Sequence, residues 1–211
     1  MVRIKICGIT NLEDALLAAE LGADALGFIF FAQSPRKVAP ETAREIIAQL
    51  PPFVASVGVF VDEAATLVQE VAARVGLDWV QLHGQESPEY CRNLGRNVIK
   101  GFRMRDEDSL RRLADYQGAA QALLLDTYKQ GQVGGTGTAF DWRLAREAKQ
   151  YGWIILAGGL NPDNVAQAIA TAGPQAVDAA SGTEAAPGKK DPAKLRAFFK
   201  AVSYQQLAIS S

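Results

Sequence analysis

Two cysteines, Cys7 and Cys91, and a single histidine, His83, are all the soft metal-binding side chains that 211 residues offer. They are too few for a disulfide scaffold or for the four-ligand set of a structural zinc site. Net charge is almost absent as well: 22 Lys+Arg against 23 Asp+Glu leave −1. That excludes the basic footprint expected of a protein that grips a nucleic-acid backbone. No apolar run approaches the roughly 18 residues of a membrane span, so no membrane partner is expected. The chain opens on a strand pattern instead of a cationic segment followed by an apolar signal region, and a cytoplasmic location is the expectation. Linkers are missing too, with no Ser/Gly-rich or low-complexity tract to divide the chain, so residues 1–211 are expected to form a single domain.

What is present is a repeating unit. Val2, Ile4 and Ile6 alternate with Arg3, Lys5 and Cys7, which predicts a strand with the last three on one face. After Cys7 the period changes: Asn11 can cap a helix, and Leu12, Ala15, Leu16 and Ala19 recur at helical spacing up to Gly22. The same alternation follows, with strands predicted at 24–30, 53–60, 79–82, 98–102, 122–125, 153–156 and 176–179. Helices are predicted at 41–50, 64–75, 87–94, 109–116, 140–151, 164–172 and 192–202. Eight such units in one domain predict an α/β fold with a closed parallel sheet, the (βα)8 or TIM barrel. A doubly wound open sheet is the competing architecture, but it typically uses five or six strands and would leave strands here unassigned.

In such a barrel, chemistry sits at the C-terminal strand ends, and polar residues there are few. Cys7 ends the first strand, Arg36 follows the second, His83 the fourth, and Asp126 ends the sixth. Gly158-Gly159 follow the seventh, and Ser181-Gly182 the eighth. Each has a plainer reading: Cys7 as a small apolar filler, Asp126 as a turn cap, His83 as a brace for its strand end, Arg36 as a solvated loop charge. Their convergence on one mouth favours function, with Arg36 as an anion clamp and His83 in support. Cys91, inside a helical pattern, keeps the plain reading. The two late glycine-rich stretches lie where barrels bind phosphate on backbone N–H groups. Gly134-Gly135-Thr136-Gly137 lacks the GxGxxG spacing of a dinucleotide loop.

In order and spacing, Lys5-Ile6-Cys7-Gly8-Ile9-Thr10, Ser34-Pro35-Arg36, Val80-Gln81-Leu82-His83-Gly84, Leu125-Asp126-Thr127 with the GGTG loop, Ala157-Gly158-Gly159-Leu160 and Ser181-Gly182 through Lys190-Asp191 resemble the phosphoribosylanthranilate isomerase family. The family usually has two serines before the glycine of the eighth loop and an aliphatic residue after it, whereas this chain has Ala180 and Thr183. The resemblance implies a cofactor-independent Amadori rearrangement in tryptophan biosynthesis. It makes Asp126 the general acid, Cys7 the general base, and Arg36 the clamp for the anthranilate carboxylate. Gly158, Gly159, Ser181 and Gly182 would hold the phosphate, and Asp178 would touch the sugar or orient a neighbour. The partner is then a small phosphosugar, with the chain a monomer or homodimer and no metal required. The alternatives are a metal-using epimerase, an indole-glycerol-phosphate synthase with Lys100 as its one interior lysine, and a silent metabolite-binding barrel. No second anion loop is found for a bisphosphorylated aminoaldose.

Overall fold

The computed structural model describes residues 1–104, 107–126 and 142–210, with side chains described as far as 205. Eight parallel strands, β1 (Arg3–Cys7), β2 (Ala25–Ile29), β3 (Ala55–Phe60), β4 (Trp79–Leu82), β5 (Val98–Arg103), β6 (Ala122–Asp126), β7 (Ile154–Ala157) and β8 (Ala176–Ala179), pair in chain order. The last returns to the first, with Arg3 opposite Ala176 and Ile6 opposite Ala179, and the sheet closes. Around it run α1 (Leu12–Glu20), α2 (Pro40–Ile47), α3 (Ala65–Val75), α4 (Pro88–Asn93), α5 (Glu107–Arg111), α6 (Trp142–Glu147), α7 (Val165–Ala172) and α8 (Pro192–Ser210). Among the described residues no helix is long and apolar enough to cross a membrane.

Strand alternation divides the core in two. Ile4, Ile6, Leu26, Phe28, Leu82, Leu123 and Leu125 pack outward against the helices, while Val57, Ile99, Leu124 and Ile155 fill the barrel. Local signals fix the helix ends. The Asn11 side chain accepts the Asp14 N–H at the start of α1, and Ser87 accepts the Tyr90 N–H ahead of Pro88 in α4.

Several expected boundaries are corrected. Phe53 and Trp153 were predicted inside strands; β3 and β7 begin after them, and the two rings stand 96% and 49% exposed at the N-terminal end of the barrel. The helix predicted over 109–116 ends at Arg111 and tightens into a 3-10 turn over Arg112–Tyr116, and α6 likewise gives way to one at Ala148–Tyr151. The final helix continues past Val202, the last buried side chain among the described residues, with Ser203 and Tyr204 on a solvent-facing side. A hairpin of β9 (Glu184–Ala186) and β10 (Lys189–Lys190) follows β8, too short to leave a periodic trace. The GGTG stretch and Phe140-Asp141 lie outside the described residues.

Candidate active site

Pleating aims alternate residues of β1 into the barrel, so Lys5 and Cys7 face inward. Arg3, expected on the same face, stays at the exposed rim and pairs with Asp24. The Cys7 thiol is buried. It has room because β2 offers Gly27 alongside, where a Cβ would stand 2.7 Å from Cys7 Sγ. Lys5 Nζ donates to Asp178 Oδ1 at 2.9 Å, forming an ion pair across β1 and β8 with side chains only 3% and 9% exposed. Asp178 is thereby engaged with a neighbour. Burial pushes the Cys7 thiol up, and Asp178 adds to this; Lys5 and Lys190 pull it back without cancelling the rise. Lys5 is itself penalised by burial, yet Asp178 and Cys7 raise it overall.

Asp126 closes β6 on the opposite part of the ring, half-buried, with Oδ2 3.5 Å from His83 Nε2. The Gln81 side-chain Nε2 lies 3.2 Å from His83 Nδ1, so the imidazole is held from below and aimed at the carboxyl group. Beside His83 a cavity of about 340 Å³ opens at the C-terminal mouth, bordered by Gly101, Arg103, Arg112 and Tyr116.

The Arg36 guanidinium is held on both oxygens of Glu184, with Nε at 2.8 and 3.0 Å and Nη2 at 2.7 Å. These hydrogen bonds raise Arg36 above the usual guanidinium value. Burial pushes the Glu184 carboxyl up, but Arg36 and Lys190 overcome this and hold it below the usual carboxylate range. In the loop after β7, Gly158 and Gly159 take φ of 93° and 68°, a left-handed turn that side chains disfavour. Gly182, after β8, packs so tightly on this loop that a Cβ would come 2.0 Å from the Leu160 carbonyl oxygen. The two loops therefore form one backbone surface, with Ser181 exposed on it. Thr183, one of the two departures, turns inward and donates to the Ala180 carbonyl at 2.9 Å, so it braces the loop from inside.

Lys100 is corrected in position. Ile99 points into the barrel, so Lys100 points outward, where Nζ donates to Glu86 at 3.0 Å and to the carbonyls of Leu82, Gly84 and Gly101. It braces the strand ends around His83 and is not an interior lysine. Among the described residues, no group of three or more His, Cys, Asp or Glu side chains could hold a metal ion. Two buried charges beside the site, Glu184 and Lys190, fall in the last stretch that carries the family resemblance, where the sequence gives them no role. The return of the chain across β1 buries them both.

A profile described as N-(5′-phosphoribosyl)anthranilate (PRA) isomerase matches residues 4–201. The chain is 57% identical over 196 residues to the N-(5′-phosphoribosyl)anthranilate isomerase of Citrifermentans bemidjiense, covering 93% of this chain and 94% of that one. It superimposes with a TM-score of 0.88 and 45% identity on a phosphoribosyl anthranilate isomerase crystallised with reduced 1-(o-carboxyphenylamino)-1-deoxyribulose 5-phosphate, covering 97% and 100% of the two chains. A third relative, 43% identical with a TM-score of 0.86 and the same coverage, comes from a study of monomers generated from the dimeric Thermotoga maritima enzyme.

Proposed function

The chain belongs to the N-(5′-phosphoribosyl)anthranilate isomerase family, and from that premise we propose how its residues divide the work. The activity is an isomerisation in tryptophan biosynthesis, N-(5-phosphoribosyl)anthranilate becoming 1-(2-carboxyphenylamino)-1-deoxyribulose 5-phosphate. Asp126 gives its proton to the furanose ring oxygen as the C1′–O bond breaks and the anthranilate nitrogen lone pair forms the iminium. The iminium acidifies the C2′ hydrogen, and the Cys7 thiolate removes it to give the enolamine. Transfer of the enol proton to C1′ completes the ketone. Protons pass between the substrate and these two groups, and proton exchange with solvent restores the Asp126 acid and the Cys7 thiolate after product leaves. The change of oxidation level is internal to the sugar, so the chemistry calls for neither redox cofactor nor Lewis acid.

The observation that carries this reading is a buried thiol at the end of β1 and a His83-supported carboxyl at the end of β6, on separate arcs of one barrel mouth. Groups so placed reach a substrate from two sides. The backbone surface of Gly158, Gly159, Ser181 and Gly182 suits the phosphate. The outward turn of Lys100, with the inward-facing Lys5 committed to Asp178, leaves a synthase reading without a free interior lysine among the described residues. Turnover of freshly prepared phosphoribosylanthranilate by the purified protein tests the reading; its absence, with the fold intact, would favour a metabolite-binding barrel.

Arg36 is assigned to the anthranilate carboxylate, with Glu184 holding the fork in place until substrate arrives. Arg36→Met is expected to weaken substrate binding by about 2–5 kcal/mol, the scale for one partner of a buried charged pair. Ribulose 5-phosphate, which has no such carboxylate, should bind almost as before. Competition assays read both, and equal weakening of the two ligands would put Arg36 at the phosphate end.

For quaternary state we propose a homodimer through the N-terminal end of the barrel. An apolar cavity of about 280 Å³ opens there among Val57, Trp79, Ile99 and Ile155, with the exposed Phe53 and Trp153 on its rim. A projecting ring beside an apolar cavity is self-complementary under two-fold symmetry, and a relative from Thermotoga maritima is described as dimeric. Phe53→Glu should shift the protein to monomer in analytical ultracentrifugation while sparing turnover, because the active site is at the other end. A monomeric parent protein would reject the interface.

A further inference from the structure

Lys190 is almost wholly buried at the seam where the barrel closes. Its Nζ donates to the Cys7 carbonyl at 2.7 Å, to the Ala180 carbonyl at 3.1 Å and to Glu184 Oε1 at 3.3 Å. Three acceptors call for three N–H donors, which an ammonium has and a neutral amine lacks. Each acceptor belongs to a different part of the site: the residue proposed as base, the turn before Ser181-Gly182, and the carboxylate that holds Arg36. The backbone of Lys190 is anchored too, its N–H on Asp14 Oδ2 at 2.8 Å.

We propose that Lys190 is a positioning residue for the isomerisation, one buried charge that sets base, phosphate loop and carboxylate clamp relative to one another and favours the Cys7 thiolate. The inference deepens the functional reading above and rests on Cys7 as base and Arg36 as clamp. Burial lowers Lys190 below the ordinary lysine value, and Glu184, Cys7 and Asp178 oppose that fall. The charged groups acting on the thiol are Lys5 from β1, Asp178 from β8, Lys190 from the hairpin and Arg36 from the loop after β2. Lys5 acts most strongly on the sulfur and is partly offset by its partner Asp178. Lys190 acts next, and its partner Glu184 is shared with Arg36, so Lys190 adds a positive contribution that one carboxylate divided between two cations does not cancel.

The test uses full-length protein with Cys91→Ala, so that Cys7 is the sole thiol. Lys190→Met keeps the stem and removes the charge. In protein with unchanged circular dichroism, kcat should fall by on the order of 10², the cost of an ångström-scale misplacement, and KM should rise several-fold as Arg36 loses its partner's restraint. The pH at which Cys7 thiolate absorbance appears should move up by about one unit, at the low end of the effect of a neighbouring charge. A purely structural residue would lower thermal stability and leave that titration where it was; an unmoved titration, or kcat and KM within twofold of the parent, overturns the proposal. If Lys190→Met does not fold, the parent protein carries the test: the side-chain ammonium resonance of Lys190 must shift as Cys7 titrates, and must not in Cys7→Ser. A resonance indifferent to Cys7 overturns it equally. Should Cys7→Ser keep full turnover, the base assignment falls, while the effect of Lys190 on the thiol is read separately by absorbance.

Discussion

Cys7→Ser is expected to leave a folded barrel that turns over phosphoribosylanthranilate about 10²- to 10⁴-fold more slowly, the range for loss of a general base. A hydroxyl occupies less volume than a thiol and fits the space beside Gly27, so folding is not at stake. A hydroxyl is simply too weak an acid to supply the conjugate base near neutral pH. The parent enzyme adds a second readout. Burial and Asp178 hold the Cys7 thiol above the ordinary cysteine value despite Lys5 and Lys190. The base must be deprotonated to act, so kcat/KM of the free enzyme should still be climbing above about pH 8.5, where an ordinary cysteine is half ionised. Steady-state rates across pH give both results; near-normal turnover by the serine variant would remove Cys7 from the chemistry.

Asp126→Asn carries an equally large expected effect of a different kind. The amide keeps the shape of the carboxyl beside His83 and the end of β6, so substrate should bind with KM little changed. It cannot release the proton that opens the furanose, and kcat should fall about 10²- to 10⁴-fold. Steady-state rates followed by fluorescence across a range of substrate concentrations separate these quantities. An unchanged kcat with a raised KM would make Asp126 a binding residue and leave ring opening to another acid.

The barrel, and the strand-end positions of the candidate site residues, were largely legible because both depend on short-range patterns. Eight alternations of period two and period 3.6 name the fold, and a polar residue after an apolar run, as at Cys7 or Asp126, marks a strand's C-terminal end. What stayed hidden depends on pleat phase and on distant strands. Val98 to Arg103 carries apolar residues and one cation on each face, so nothing local says that Ile99, not Lys100, points inward. Asp178 was readable as a candidate, but its commitment to Lys5 joins residues 173 positions apart. Glu184 and Lys190 sit in strands of three and two residues, too brief for any periodic signal. Thr183 remains a departure from the family pattern, and only the structure shows its hydroxyl turned inward onto the Ala180 carbonyl.

The seam between β1 and β8 also bears on how the molecule is made. Lys190 meets Cys7 across 183 positions of chain, so on the ribosome the first strand emerges long before the segment that locks it. Until β8 has left the exit tunnel the sheet has two open edges, a sticky and proteolysable intermediate that chaperones would recognise. Loop closure over most of the polypeptide is the slow, entropically costly step. The hairpin that brings Lys190 to β1 follows directly on the strand that closes the sheet, so a truncated translation product that ends between the two is expected to form the barrel without the charge that supports the base.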